Sequence, residues 1–125
     1  MMEPTVLIVD DEAAFVETLV KRLAKRELEV VAAHSGQEAL DRLEASGPAK
    51  IDVVILDVKM PGMDGIETLA KIKEQHPLIE VVMLTGHATV ESAIDGMKKG
   101  AFDYLMKPCD VDVLLEKINE ATAKK

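Results

Sequence analysis

The sequence predicts an α/β fold in which a doubly wound parallel sheet carries helices on both faces. Short β-branched runs alternate with segments of helical period, and the alternation repeats five times along 125 residues. Turn residues fall where the period changes. Such regular alternation is typical of parallel strands that are joined by right-handed crossovers. The length fits one domain with one core, residues 1–125.

The predicted elements follow one another in strict order. Short apolar runs, typical of strands buried on both faces, predict five strands. These are Val6–Val9, Leu28–Ala32, Val53–Leu56, Val81–Leu84 and Phe102–Met106. Helical spacing follows the first run, where Phe15, Leu19 and Leu23 recur every four residues. It returns after the fourth run at Val90, Ala93, Ile94 and Met97, and after the fifth at Val111, Leu114, Leu115 and Ile118.

Caps and turn residues predict where the helices begin and end. Ser35–Glu38 and Asp64–Glu67 both have capping-box spacing, which predicts the first turns of the second and third helices. Gly47-Pro48, Pro77 and Gly100 predict helix ends.

Composition limits the possible functions. A formal net charge of −8 repels phosphate backbones and argues against direct nucleic-acid binding. Aromatic residues make up only 2% of the chain, so base-stacking platforms are not expected. No apolar run approaches the roughly 18 residues that a membrane span needs. The lone Cys109 cannot form an internal disulfide and indicates a reduced, cytoplasmic compartment.

Candidate site residues lie at the carboxyl ends of the predicted strands, where ligands bind in folds of this class. Asp10 and Asp11 follow the first strand, and Asp57 follows the third. Thr85 ends the fourth strand, and Lys107 follows the fifth. Each residue, taken by itself, has a simpler structural explanation. The acids could cap a helix or start a turn, Thr85 could be an ordinary strand end, and Lys107 could be a surface lysine. Together, on one rim, they favour a site.

The cluster suits phosphoryl chemistry. Neighbouring carboxylates repel one another, and each raises the pKa of the others. A hard cation offsets that cost, and oxygen ligands of this kind suit Mg²⁺. One carboxylate can then attack a phosphoryl group, while the metal, an ammonium and a hydroxyl balance the charge on its oxygens. Because positioning and electrostatics supply most of this catalysis, Asp57 needs no partner base.

These residues resemble the receiver domains of bacterial two-component response regulators. The resemblance covers essentially the whole chain and rests on VLIVDDE (6–12), VVILDVKMPGMDG (53–65) and VVMLTGHATVESAIDGMKKGAFDYLMKP (81–108). It implies a flavodoxin-like (CheY-like) fold, with a five-stranded sheet in the order 2-1-3-4-5 and five helices. Residues 85–108 are most similar to receivers of sigma-54 activators and of some DNA-binding regulators.

The resemblance also implies residue roles around a phosphoacceptor, Asp57. Asp11 is expected to bind Mg²⁺ directly and Asp10 through bound water, with the backbone carbonyl of Lys59 as a further ligand. Glu12 is expected only as an exposed first-turn residue.

Three further positions complete the implied machinery. Lys107 is expected to pair with a phosphoryl oxygen and to precede a cis peptide bond into Pro108. Thr85 is expected to hydrogen bond the phosphoryl group and shift towards it, and Tyr104 to turn inward into the space that Thr85 vacates. Cys109 departs from the family pattern, since related sequences often carry Phe there.

The implied function is a phosphorylation-dependent switch that turns over no free substrate. A sensor histidine kinase or phosphotransfer protein would supply the phosphoryl group. The surface built from residues 90–99, 102–106 and 111–121 would then contact an output domain, a partner protein or a second copy of the domain. A stand-alone receiver and the receiver portion of a longer regulator both fit the sequence.

The residues alone leave three alternatives open. A haloacid-dehalogenase-like phosphatase also forms an aspartyl phosphate, but it places a D-x-D pair after strand one and needs a cap domain. A flavodoxin-like FMN protein shares the fold class, but its first loop cradles phosphate and is not acidic. A passive interaction module with a vestigial metal site would not be phosphorylated.

Overall fold

The computed structural model describes residues 4–46 and 51–123, which form ten alternating strands and helices. Their order is β1 (Thr5–Val9), α1 (Ala13–Ala24), β2 (Glu29–Ala33), α2 (Gly36–Ser46), β3 (Val53–Leu56), α3 (Gly65–Gln75), β4 (Glu80–Thr85), α4 (Val90–Lys98), β5 (Asp103–Met106) and α5 (Val111–Ala123). Every predicted strand is present, and its ends lie within one residue of the prediction.

All five strands pair in parallel in one sheet, in the predicted order β2-β1-β3-β4-β5. Successive side chains of a strand point to opposite faces, so the sheet separates two apolar layers. One layer contains Leu7 and Val9 of β1 and packs under α2 and α3. The other contains Val6 and Ile8 and packs under α1 and α5. The doubly wound architecture is confirmed.

Helix α4 is attached to the sheet differently from the other helices. Its only buried residue is Gly96. Val90, Ile94 and Met97, whose spacing predicted the helix, are 76%, 50% and 47% exposed. The period therefore predicted the helix correctly, but this apolar stripe is not part of the core. Exposed Met106 and Val113 add apolar surface on β5 and α5.

For α2 and α3, one of the two hydrogen bonds of each predicted capping box is confirmed, namely the bond from the backbone N–H of the third helical residue to the N-cap side chain. Ser35 accepts a hydrogen bond from the Glu38 N–H at 3.1 Å, and Asp64 accepts one from the Glu67 N–H at 2.8 Å. The Glu38 carboxylate, however, accepts from the N–H of His34 at 2.7 Å, one residue before the position that a capping box uses. A complete capping box instead begins α4, where none was predicted.

The predicted helix ends are confirmed where the structure describes them. Pro77 follows His76, the C-cap of α3, and Gly100 follows α4 with a left-handed φ of +105°. Gly47-Pro48 lies outside the described residues. Within the two described ranges, no helix has the length and apolar character needed to cross a membrane.

Candidate functional site

Backbone pairing places two of the predicted acids side by side. Val9 of β1 lies opposite Leu56 of β3, so Asp10 and Asp57 are each the next residue beyond a paired position. The ladder continues for one more step, because the Asp57 N–H donates to the Val9 carbonyl at 3.0 Å. Asp10 is held from its other side by a hydrogen bond from its N–H to the Ala33 carbonyl at 3.1 Å.

Three carboxylates converge at this rim. Asp10, Asp11 and Asp57 each offer an oxygen, and these oxygens lie within 4.8 Å of one another. Asp10 and Asp57 are only 2% and 3% exposed, whereas Asp11 is open to solvent. Oxygen donors with one solvent-facing side match what Mg²⁺ requires, since that ion keeps several of its waters. The donor set therefore fits the expected metal.

Lys107 lies nearest to Asp10 and not to Asp57. Its Nζ is 2.6 Å from Asp10 Oδ2, 3.1 Å from Glu12 Oε1 and 3.9 Å from Asp57 Oδ2. The Phe15 ring centroid lies 4.0 Å from the same nitrogen, a cation–π contact. Glu12, expected only as an exposed first-turn residue, is therefore a partner of Lys107, as is Phe15. The helical spacing accounted for Phe15 as part of the apolar face of α1, and nothing in the sequence indicated that its ring also contacts Lys107.

The environment shifts the pKa of both members of the Asp10–Lys107 pair. Burial raises the pKa of Asp10, although hydrogen bonds from Lys107 and from the Glu12 N–H oppose the shift. The charge of Asp57 raises it further. Burial acts to lower the pKa of Lys107, but its bonds to Asp10 and Glu12 outweigh that effect and raise the pKa overall. Lys107 is therefore a fixed positive charge at neutral pH.

The loop after Asp57 holds that side chain from behind. The Val58 N–H donates to Asp57 Oδ1 at 2.8 Å, and the Gly65 N–H donates to the Val58 carbonyl at 2.6 Å. In front lies an open cleft of about 430 Å³, lined by Asp11, Glu12, Asp57, Lys59, Met60, Pro61 and His87. Asp57 therefore lies at the wall of a cleft that opens to solvent. Lys59 lies at its edge, and a metal-binding role for its carbonyl stays a prediction.

Thr85 and Tyr104 are diagonal neighbours on the sheet. Met83 pairs with Tyr104 and Thr85 pairs with Met106, so Thr85 and Tyr104 point to the same face. Thr85 is fully buried, and its Oγ1 accepts a hydrogen bond from the His87 N–H at 3.0 Å. The Tyr104 hydroxyl lies 2.6 Å from Ser92 Oγ, a partner that the sequence analysis missed. The inward turn of Tyr104 stays a prediction.

Two smaller expectations concern the segment after β5. The peptide bond from Lys107 to Pro108 is cis, as predicted. Cys109 is half-buried against the layer under α1 and α5, and burial raises the pKa of its thiol. These features fit a packing role for Cys109 and not that of a nucleophile, since the thiolate is the reactive form.

Comparison with known proteins adds independent evidence. Residues 6–119 match the response regulator receiver domain family. The DNA-binding transcriptional regulator NtrC of Klebsiella pneumoniae is 38% identical over 114 residues, which cover 91% of this chain and 24% of the relative. The transcriptional regulatory protein ZraR of Escherichia coli (strain K12) is 38% identical over 118 residues, covering 94% and 26%. The chain therefore spans about a quarter of the length of these relatives.

Solved structures agree with the sequence matches. The crystal structure of a response regulator receiver domain protein (CheY-like) from Methanospirillum hungatei JF-1 is 32% identical to this chain, with a TM-score of 0.91. The match covers 98% of this chain and 96% of that one. The likeness extends over nearly the whole of both chains, as expected for one shared domain.

Proposed function

Because this chain belongs to the response regulator receiver family of two-component systems, we propose that Asp57 accepts a phosphoryl group and thereby changes the binding properties of the domain. One observation carries the proposal. Three carboxylates and the Lys107 ammonium meet at a single rim, and Asp57 lies within that cluster at the wall of an open cleft. Family membership sets aside the phosphatase and flavin alternatives.

The metal proposed for the site is Mg²⁺. When bound, it supplies positive charge that offsets the negative charge on the phosphoryl oxygens. Asp11, the exposed member of the cluster, is the proposed direct ligand together with Asp57, and the backbone carbonyl of Lys59 is a further ligand. Buried Asp10 is proposed to act through bound water. Neutralising closely spaced, partly buried carboxylates is the physical reason that this site favours a cation.

The proposed donor is the phosphohistidine of a sensor histidine kinase or phosphotransfer protein. A carboxylate oxygen of Asp57 bonds to phosphorus as the phosphorus–nitrogen bond breaks, and the electron pair of that bond stays on the imidazole nitrogen. Lys107, only 3.9 Å from Asp57 Oδ2, then donates to a phosphoryl oxygen. The Thr85 hydroxyl donates to another. Each residue orients or stabilises the transferred group, which is most of what this reaction needs.

The domain is proposed to act as a cytoplasmic switch, residues 1–125, that turns over no free substrate. Its output surface would be the face of α4, β5 and α5, where exposed Val90, Ile94 and Met97 lie near charged side chains. Apolar surface of this kind marks interaction sites. The partner would be an output domain, a separate protein or a second copy. Because NtrC and ZraR are transcriptional regulators, control of transcription is the proposed output.

Intact mass spectrometry tests this proposal. The wild type, Asp57→Ala and the control Asp41→Ala, which removes an exposed acid of α2, are incubated with Mg²⁺ and acetyl phosphate and quenched in acid. One phosphoryl group on the wild type and control, absent from Asp57→Ala and absent with EDTA, is expected. A phosphorylated Asp57→Ala protein would place the acceptor elsewhere. A wild type that neither gains an adduct nor binds beryllofluoride would be a passive interaction module.

A further inference from the structure

The hydroxyl of Tyr104 is bound to the first turn of α4. Its oxygen lies 2.6 Å from Ser92 Oγ. That same Ser92 oxygen accepts the Thr89 N–H at 3.2 Å, while the Ser92 N–H donates to Thr89 Oγ1 at 3.0 Å. These reciprocal bonds are the capping box of α4. Since a serine hydroxyl offers one donor and two acceptor positions, Tyr104 shares a small bonding capacity with the cap.

The ring of Tyr104 also packs against the helix. A methyl group added at Gly96 would lie 3.6 Å from Tyr104 Cδ2 and 3.8 Å from Met83 Cγ, both ordinary contact distances. The ring therefore lies beside the only buried residue of α4. Tyr104 thus joins β5 to α4 twice, through its ring at Gly96 and through its hydroxyl at Ser92.

One hydrogen bond links Thr85 to the segment that leads into α4. Thr85 Oγ1 accepts the His87 N–H at 3.0 Å, and His87 is only two residues before the N-cap, Thr89. A shift of the Thr85 hydroxyl towards a phosphoryl group on Asp57 would change its hydrogen bond from the His87 N–H. Through this bond, Thr85 is connected to the segment that carries the cap of α4.

We propose that Ser92 is a positioning residue of the switch, which holds Tyr104 in its unphosphorylated orientation and couples it to the cap of α4. This inference rests on the proposed phosphorylation of Asp57 and deepens it. Tyr104 cannot turn without losing a hydrogen bond that is shared with the helix start. A contact made in only one of two states shifts the equilibrium between them. By reciprocity, removing it raises the affinity for any ligand of the other state.

The composition of the chain supplies a reporter for this contact. Tyr104 is the only tyrosine, and there is no tryptophan. The ¹⁹F NMR signal of protein labelled with 3-fluorotyrosine therefore reports on this one ring. The comparison uses Ser92→Ala, Ser92→Thr as the conservative rescue, and Thr89→Ala as the control. Thr89→Ala removes the cap bond to the Ser92 N–H and the 3.0 Å contact to Ser92 Oγ, but it leaves both oxygens of the Ser92–Tyr104 pair in place.

In metal-free protein, Ser92→Ala is expected to move the ¹⁹F signal towards its position in wild type bound to beryllofluoride and Mg²⁺. Loss of one hydrogen bond should tighten beryllofluoride binding about two- to tenfold. Ser92→Thr should restore the wild-type signal, and Thr89→Ala should keep it despite a less stable helix start. A Ser92→Ala signal equal to that of wild type, or an affinity equal to that of Thr89→Ala, would overturn the inference.

Two further measurements separate this inference from the proposed function. Tyr104→Phe removes the same bond from its other side, so it should tighten beryllofluoride binding as Ser92→Ala does, and the double variant should gain nothing more. Additive effects would contradict the coupling, and if Ser92→Ala folds poorly, a Tyr104→Phe affinity equal to that of wild type would contradict it instead. Intact mass is recorded in parallel. Phosphorylated wild type with an unchanged Ser92→Ala refutes only the role of Ser92, whereas unphosphorylated wild type refutes the switch.

Discussion

Replacing Gly65 with alanine tests how closely the chain packs behind Asp57, the proposed phosphoacceptor. An added methyl group would overlap the carbonyl oxygen of Asp57 and would lie 2.7 Å from the Cα of Val58. Both obstacles are backbone atoms, so no side-chain rotation can relieve the overlap. The loop would have to move, and Asp57 would move with it.

The cost of Gly65→Ala can be sized from that geometry. Extra atoms in well-packed regions cost about 1–3 kcal/mol, and fixed backbone obstacles place this variant near about 3 kcal/mol. A domain of 125 residues loses roughly 4 °C in its unfolding midpoint per kcal/mol. We therefore expect the midpoint to fall by about 12 °C. Because Asp57 is displaced, phosphorylation by acetyl phosphate should slow as well.

Thermal unfolding in EDTA, followed by circular dichroism, measures the stability of this variant. Gly86→Ala is the matched control, since its nearest neighbour would be Lys107 Cδ at 3.9 Å. The control should unfold within about 2 °C of wild type, as surface substitutions usually do. A Gly65→Ala protein that matches the control in midpoint and wild type in phosphorylation rate would refute this close packing around Gly65.

Three further predictions concern the metal site and the core. Mg²⁺ at ten times its dissociation constant should stabilise wild type by about 1.4 kcal/mol, and Asp10→Asn should lose most of that gain. Without metal, Asp10→Asn should be more stable than wild type at pH 7, because burial raises the pKa of Asp10 and ionisation then opposes folding. That advantage should shrink as the pH falls towards 3.8, the ordinary pKa of an aspartate, and a constant difference in denaturant unfolding would contradict it. Ile118→Ala, in the fully buried face of α5, should cost about 2–5 kcal/mol in urea unfolding. Val113→Ala, on the exposed face, should cost less than about 0.5 kcal/mol, and equal losses would refute the burial argument.

The strand ends and the site rim were predictable because both depend on local pattern. An apolar run ends where its first charged residue appears, which fixed the positions of Asp10 and Asp57. Parallel pairing then carries both to the same edge. The fold, and the meeting of Asp10 and Asp57 at one edge of the sheet, can therefore be predicted from the spacing of apolar runs and of the charged residues that end them.

The partners of Lys107 were not predictable in the same way. Glu12 and Phe15 are more than ninety residues away in sequence. Their contact with Lys107 depends on the path of a long side chain across the rim. The capping box at Thr89–Ser92 was missed because its third helical residue is serine, whereas the usual pattern has Glu or Gln there. Neither the Lys107 contacts nor this capping box changes the spacing of apolar residues, which is the signal that located the helices.

The weak attachment of α4 is a physical reason to propose that this helix moves in the switch. Helices α1, α3 and α5 bury Leu and Ile side chains in the two core layers, and moving any of them would expose that surface. Helix α4 buries only Gly96, which has no side chain to lose. Elements with few buried apolar contacts need the least free energy to move. Under the proposed mechanism, a phosphoryl group on Asp57 that gains a few hydrogen bonds would therefore shift α4, and with it the exposed stripe of Val90, Ile94 and Met97, while the rest of the core stays packed.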